Sequence, residues 1–351
     1  MRTKGLFLLT LIFGFWLSLF VNASFADEPY FFPWAEEEEE AFEVLPYEVV
    51  KNLPSDINAQ VLYFIKYYTQ GAGRKSLKIW FERAGLYLPY FKAIFKKFGI
   101  PEDLAYLALM ESGCSPFAVS KAGAVGFWQF IRGTARRYGL TINYWVDERK
   151  DFIKATYAAA RYLKDLYELF GDWRAAVASY NAGEGRLLRL MKIRNFANYW
   201  QIMTSGLLPY ETAAYLPQWM AIVLIAKNPE KYGFKPIRKV PLLFKEIEVE
   251  GGLDLRVIAM AGDIDPGLLY LLNAKFRRGI TPPGKISKVR VPLYKAEEVK
   301  RNLPLVPVVK VRRRFYRRGY FNITTLPYLV NESPIVLYKL AKRVKMEHIN
   351  E

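Results

Sequence analysis

Cysteine and histidine are almost absent, with Cys114 and His348 each the sole example among 351 residues. A single thiol excludes an internal disulfide. One thiol and one imidazole also leave no thiolate–imidazole metal cluster and no Ser/His or Cys/His catalytic pair to assemble. Acids are scarce relative to bases, 34 Asp and Glu against 51 Lys and Arg, for a formal net charge of +17. Such a surface seeks anions. No helix-turn-helix, zinc or RNP pattern is present, so nucleic acid is not the expected partner. Chemistry must rest on carboxylates, hydroxyls and amides, and neither a cofactor nor a metal site is expected.

What is plentiful is apolar: 52% hydrophobic residues and 16% aromatics can fill the cores of two domains. Arg2 and Lys4 precede an apolar run over 5–21 and then the small residues Ala23, Ser24 and Ala26. This pattern predicts a secretory signal over 1–26, cut after Ala26, with an uncleaved anchor as the alternative. Cys114 lies far from this region, so no lipid-modified N-terminal cysteine is available. The expected location is outside the cytoplasm, periplasmic or membrane-associated. Anionic cell-wall polymer or lipid headgroups then become the natural counter-charges. Residues 27–51, with an acidic run at 36–40, read as a linker.

From 52 to 235 apolar residues recur every three or four positions, predicting helices over 61–68, 87–95, 152–170, 173–178 and 213–226. From 236 to 300 the texture changes. Strands are predicted over 244–249 and 288–292, with short helices over 253–261 and 266–273 between them, a small βααβ module. The fold class expected is α+β, mainly α. A basic segment, 301–351, follows and contains Arg312, Arg313, Arg314, Arg317 and Arg318 around Phe315 and Tyr316.

One carboxylate stands out. The segment 101–113 opens with Pro101, Glu102 and Asp103, closes at Gly113, and reads as a short buried helix. Leu104, Leu107, Ala108 and Glu111 share one face at helical spacing. Burial there disfavours the charged form of Glu111, and the negative end of the helix dipole adds to the effect. A carboxylic acid still protonated near neutral pH suits proton donation to a leaving oxygen.

Three further segments carry groups suited to a ligand. Gly123 and Gly126 bracket small residues before Phe127, Trp128 and Gln129, so backbone can approach a ligand closely. Tyr180, Asn181 and Gly183 present a hydroxyl and an amide near a helix end, groups that suit sugar recognition. Pro209, Tyr210, Glu211, Thr212 and Tyr215 open another helix. Asp147, Glu148 and Asp172 sit in charge-rich loops and read as structural or ion-paired, so a second catalytic carboxylate is not evident.

In this order, and over roughly 101–234, these motifs resemble the soluble lytic transglycosylase family, the lysozyme-like domain of enzymes that cut bacterial peptidoglycan, and within it the membrane-bound type D branch. The resemblance implies Glu111-Ser112 as the catalytic pair, with Glu111 as acid and then base, and Ser120 as a polar partner of the reacting sugar. It implies Gln129 and Asn181 as substrate contacts, and Tyr180 and Tyr215 as hydroxyls lining the cleft, with Tyr215 orienting the acid. Phe127, Ser179 and the Cys114-Ser115 pair depart from the usual family residues and bear on subsite shape. The family also accounts for a lone carboxylate, because the C6 hydroxyl of N-acetylmuramic acid serves as nucleophile and a 1,6-anhydro sugar results; ordinary glycosidases need two acids. The expected partner is a peptidoglycan glycan strand. The stretch with Leu272-Asn273, 278–283 and 289–292 resembles a divergent LysM module, which implies binding of N-acetylated glycans; the plain alternative is a small domain braced against the catalytic one. The basic segment is expected to meet membrane surface or anionic wall polymer. Rival readings are a hydrolytic muramidase on the same scaffold and a non-catalytic wall-binding protein.

Overall fold

Aromatic side chains organise the helical part of the molecule. The structure, a computed structural model, describes residues 55–194, 201–202, 205–238 and 240–306. The expected signal 1–26, the linker 27–51 and the basic segment from 307 onward lie outside the described residues. In chain order the helices are α1 (Ser55–Thr69), α2 (Gly73–Lys97), α3 (Leu107–Ser112), α4 (Arg132–Arg137), α5 (Phe152–Phe170), α6 (Trp173–Ala182), α7 (Glu184–Arg194) and α8 (Tyr210–Lys227). Tyr87, Phe91 and Phe95 line one side of α2 at four-residue spacing. They meet Phe127 and Trp128, with centroids 4.7 Å apart for Tyr87–Phe127 and 5.2 Å for both Phe91–Trp128 and Phe95–Trp128. Trp128 Nε1 donates to Thr156 Oγ1 of α5 at 2.9 Å, so its one polar group is satisfied in burial.

The five expected helices fall inside α1, α2, α5, α6 and α8. Their ends follow local chemistry. Asp151 accepts from the backbone N–H groups of Ile153 and Lys154 at 3.0 Å to start α5, Gly171 ends it in the left-handed conformation, and Asp172 accepts from Arg174 N at 2.8 Å to start α6. Helix α2 runs well beyond 87–95 and continues through Pro89, and α8 continues through Pro217. Proline removes one ladder bond, and the packing of long buried faces carries the helix past it. The segment 101–113 is not one helix: Glu102–Tyr106 is a 3₁₀ helix that leads into the α-helix Leu107–Ser112. Pro101 caps this pair from an extended conformation, and the tighter 3₁₀ geometry is common at a helix start.

The following module has the βααβ order expected. Strand β1 (Phe244–Val249) pairs antiparallel with β2 (Ser287–Pro292), Phe244 opposite Pro292 and Val249 opposite Ser287. Helices α9 (Leu255–Gly262) and α10 (Pro266–Leu272) lie between them in sequence. Ile247, Leu255, Ile258, Leu269, Val289 and Val291 form a second core. Helix α11 (Ala296–Asn302) crosses position 300 and adds Ala296 and Val299 to that core.

The module does not hang from a loose tether. The stretch leading into β1 lies along α2: Val240 N donates to Gly85 O at 3.1 Å, and Tyr90 Oη donates to Leu242 O at 2.8 Å. A Cβ at Gly85 would sit 2.1 Å from Arg238 O, so only glycine permits this approach. Farther along, Arg290 Nη1 of β2 reaches Asp151 Oδ1 at 3.0 Å, and Lys275 Nζ stands 3.6 Å from Asp151 Oδ2. The Arg290 guanidinium lies over the rings of Phe152 and Phe244, 4.9 and 5.1 Å from their centroids. Asp151, Lys275 and Arg290 are all buried.

Candidate active site

Glu111 occupies the last turn of α3, among Leu107, Ala108, Leu109 and Met110, all buried with it. Only 5% of its surface meets solvent. Tyr215 of α8, itself buried, donates its hydroxyl to Glu111 Oε1. Burial pushes the Glu111 carboxyl up to about 8; the Tyr215 hydrogen bond pulls the other way, and the negative charge of Glu211 adds to the rise. The neighbouring phenol responds in turn, since burial and the Glu111 charge hold Tyr215 well above the ordinary tyrosine range.

The position of α3 is fixed from three sides. Ser112 Oγ donates to Ala108 O at 3.0 Å or to Phe127 O at 2.9 Å, tying the end of the helix to the glycine-rich loop. Gly113 adopts φ of +58°, and a Cβ there would meet the Trp80 ring at 2.5 Å. Asp103, just ahead of α3, pairs with Lys227 at 2.6 Å. Ser112 therefore acts as a bracket, a role its place beside Glu111 does not reveal.

The expected ligand-facing residues converge unequally. Gln129 has φ of +46°, uncommon for a residue with a side chain, and its Nε2 donates to Gly126 O at 2.9 Å and Ala118 O at 3.3 Å. Its amide oxygen is the group left to offer a ligand. Tyr180 Oη donates to Trp128 O at 2.8 Å, so its proton holds the backbone beside Gln129. Burial and then the Glu111 charge place the Tyr180 phenol well above its ordinary range, which puts it within electrostatic reach of the acid. Asn181 Oδ1 accepts from Thr212 Oγ1 at 3.2 Å, joining the end of α6 to the start of α8. Ser120 Oγ accepts from Ala124 N at 2.9 Å and closes the turn ahead of Gly126, with no described bond to Glu111.

The other acids are engaged. Arg149 grips Asp147 through Nε at 2.9 Å and Nη2 at 2.8 Å, and its Nη1 donates to Gly123 O at 3.0 Å and Phe130 O at 3.1 Å. Glu148 accepts from Thr141 N at 2.8 Å and pairs with Lys154. Asp172 pairs with Arg174 at 2.8 Å. Asp147 and Glu148 are buried and ion-paired, in keeping with the structural role expected of them, and Arg149 braces the loop that carries Gln129. Sequence reasoning missed that brace and missed Glu211 as a charged neighbour of Glu111. The adjacent Asp147-Arg149 pair was a signal for the first; α8 running from Glu211 to Tyr215 was a signal for the second.

The arrangement defines a site for acid–base chemistry with one buried proton donor, positioned by a phenol within a helical, lysozyme-like domain. Residues 89–203 match the Transglycosylase SLT domain, and residues 244–308 match the LysM-like domain of lytic transglycosylase MltD. The chain therefore carries a region similar to SLT transglycosylase domains, followed by one similar to the MltD LysM-like domain. It is 32% identical over 225 residues to membrane-bound lytic murein transglycosylase D of Escherichia coli strain K12, covering 63% of this chain and 49% of that protein. Over 124 residues it is 31% identical to membrane-bound lytic murein transglycosylase C of Photorhabdus laumondii, 31% of this chain and 34% of that protein. Over 92 residues it is 40% identical to peptidoglycan transglycosylase gp16 of Escherichia phage T7, 25% of this chain and 7% of that protein. The chain thus spans at most about half the length of these relatives.

Proposed function

We propose that the protein is a peptidoglycan lytic transglycosylase. It breaks the β-1,4 bond between N-acetylmuramic acid and N-acetylglucosamine and leaves a 1,6-anhydromuramic acid end. The carrying observation is the buried Glu111 held by the Tyr215 hydroxyl, a setting whose burial pushes the carboxyl up to about 8. Glu111 donates its proton to the glycosidic oxygen, the C1–O bond breaks, and the N-acetyl group of the muramic sugar assists the oxocarbenium-like state. The resulting carboxylate then takes the proton of the C6 hydroxyl, whose oxygen bonds to C1. The proton lost in the first step is regained in the second, so no water is consumed. Gln129 and Asn181 contact the substrate, Tyr180 lines the cleft, and Ser120 is a polar partner of the reacting sugar.

The domain limits that fit this reading are a catalytic region over 52–235, a LysM-like module over 236–300 and a basic segment over 301–351. Export to the periplasm or a membrane surface agrees with the names of the relatives. Among the described residues no helix is long and apolar enough to cross a membrane.

The test is Glu111→Gln, digested with purified sacculi and read by mass spectrometry of the product ends. The parent is expected to release anhydro ends, and the variant to bind sacculi with cleavage lowered by at least the 10²–10⁴-fold that acid–base catalysis supplies. Anhydro ends released by the variant at the parent's rate would remove Glu111 from the chemistry. Reducing ends from the parent would make it a hydrolase.

A further inference from the structure

The loop that follows the acid helix leads to a surface that the chemistry above does not use. Phe117 lies six residues beyond Glu111, next to Ala118, whose carbonyl holds the Gln129 amide. Its ring is 49% exposed, and Lys150 Nζ stands 5.8 Å from its centroid. Across the seam between the helical domain and the βααβ module, Arg277 Nη1 donates to Asn143 O at 2.9 Å. Arg278 Nη1 donates to Tyr144 O at 2.6 Å and lays its guanidinium 3.7 Å from the centroid of the Tyr144 ring. Tyr144 is 47% exposed despite this contact.

The electrostatics of this band are one-sided. Burial lowers the Lys150 ammonium below the ordinary lysine range, Asp147 opposes that, and the Arg277 charge reinforces it, so the two cations are close enough to repel. The acids beside them are spent: Asp147 on Arg149, Glu148 on Lys154. Each arginine commits one described N–H to a carbonyl, and a guanidinium carries five. Gathering three cations between two half-exposed rings is unfavourable in isolation, and an anionic ligand with flat apolar faces relieves it.

We propose that Phe117, Lys150, Arg277, Arg278 and Tyr144 form one binding strip for a peptide-substituted glycan strand, running from the catalytic loop across the domain seam. The rings stack on sugar faces, and the cations pair with the carboxylates of stem peptides. This deepens the transglycosylase reading and rests on it. It also gives the seam a function beyond joining two domains, because Phe117, Lys150 and Tyr144 belong to the helical domain while Arg277 and Arg278 belong to the module.

The experiment uses the full chain carrying Glu111→Gln, so that strands are bound without being cut. The probes are soluble uncrosslinked glycan strands with stem peptides intact, and the same strands stripped of peptide by an amidase. Affinity is measured at low and high salt. The peptide-bearing strand is expected to bind more tightly, with a preference that shrinks as salt rises. Arg277→Ala with Arg278→Ala should lose on the order of tenfold in affinity for peptide-bearing strands and little for stripped ones. Phe117→Ala, which breaks no seam hydrogen bond, should weaken both probes several-fold with an unchanged melting temperature. Arg278→Lys should keep the peptide preference and lose only part of the affinity for the peptide-bearing strand, since an ammonium meets a carboxylate as a point charge and not through a planar fork. Equal binding of the two probes by the parent overturns the proposal, as do variants that bind both probes like the parent. The transglycosylase reading fails separately, through product ends, because none of these binding measurements involves cleavage.

Discussion

At the scale of the residue, Glu111 was legible because a carboxylate on a greasy helical face demands a cause. Its pairing with Tyr215, 104 positions away, came through the family resemblance; nothing local in the sequence announces it. The raised carboxyl fixes two pH effects. The proposed cleavage uses the protonated form, so the rate should fall as pH rises through about 8, followed as a pH profile of anhydro-end release. Folding favours the protonated form as well: below pH 4.5 the unfolded and folded acids are both protonated, and between 4.5 and 8 only the folded one is. Stability contributed by the neutral carboxyl is therefore lost as pH rises through this window. Glu111→Gln should raise the melting temperature, by a margin that grows from pH 4.5 to 8 and then levels off.

Two neighbours of Glu111 have distinguishable effects. Tyr215→Phe removes a hydrogen bond that lowers the Glu111 value, so the alkaline limb should move up while the maximal rate drops about 10- to 100-fold, the worth of a bond to a charged group. Glu211→Gln removes a charge that raises it, so the limb should move down. Product ends should stay anhydro in that variant; a switch in the ratio of anhydro to reducing ends would show Glu211 acting as a base. The hydrogen bonds of Tyr180 and Ser120 to backbone could not be read from sequence, because they depend on which carbonyl or amide the fold brings near.

At the scale of the element, periodicity located the long helices and both strands, since a buried face repeats every 3.6 or 2 residues. It did not show that α2 continues through Pro89, or that the acid helix begins as 3₁₀, because both depend on what the segment packs against. The glycine-rich loop was recognised as a place of close approach. The structure shows the approaching backbone to be the protein's own: a Cβ at Gly126 would stand 2.0 Å from Arg149 O, and the residue holds φ of +81°. Gly126→Ala should cost at least the 1–2 kcal/mol of left-handed strain, measured by denaturant unfolding, and should lower the rate beyond that by moving Gln129. Gly123→Ala, which meets no atom within 4 Å, should cost strain alone.

At the scale of the whole molecule, the βααβ module was legible as a unit, and its attachment was not. Asp151 and Arg290 lie 139 positions apart, and neither stands out in its own segment. Burial opposes the charge on Asp151, but Arg290, Lys275 and the backbone of α5 prevail and hold its carboxyl below the ordinary range. Their stabilisation is present above the unfolded carboxyl value and lost as pH falls through the folded one. Arg290→Ala strands a buried carboxylate and should cost about 3 kcal/mol at neutral pH, with a smaller penalty in acid where Asp151 takes up a proton. Urea unfolding at the two pH values checks it. Since Asp151 lies two residues beyond Arg149, the same variant should lower turnover through the braced loop even where the protein remains folded.

The most direct measurement is the ionisation of Glu111 itself, followed by carbon-13 NMR of its side-chain carboxyl in the folded protein and assigned by its disappearance in Glu111→Gln. A midpoint near 8 is predicted, as burial and Glu211 outweigh the Tyr215 hydrogen bond. A midpoint below 5 would contradict the account, leaving the site with no proton to give at neutral pH.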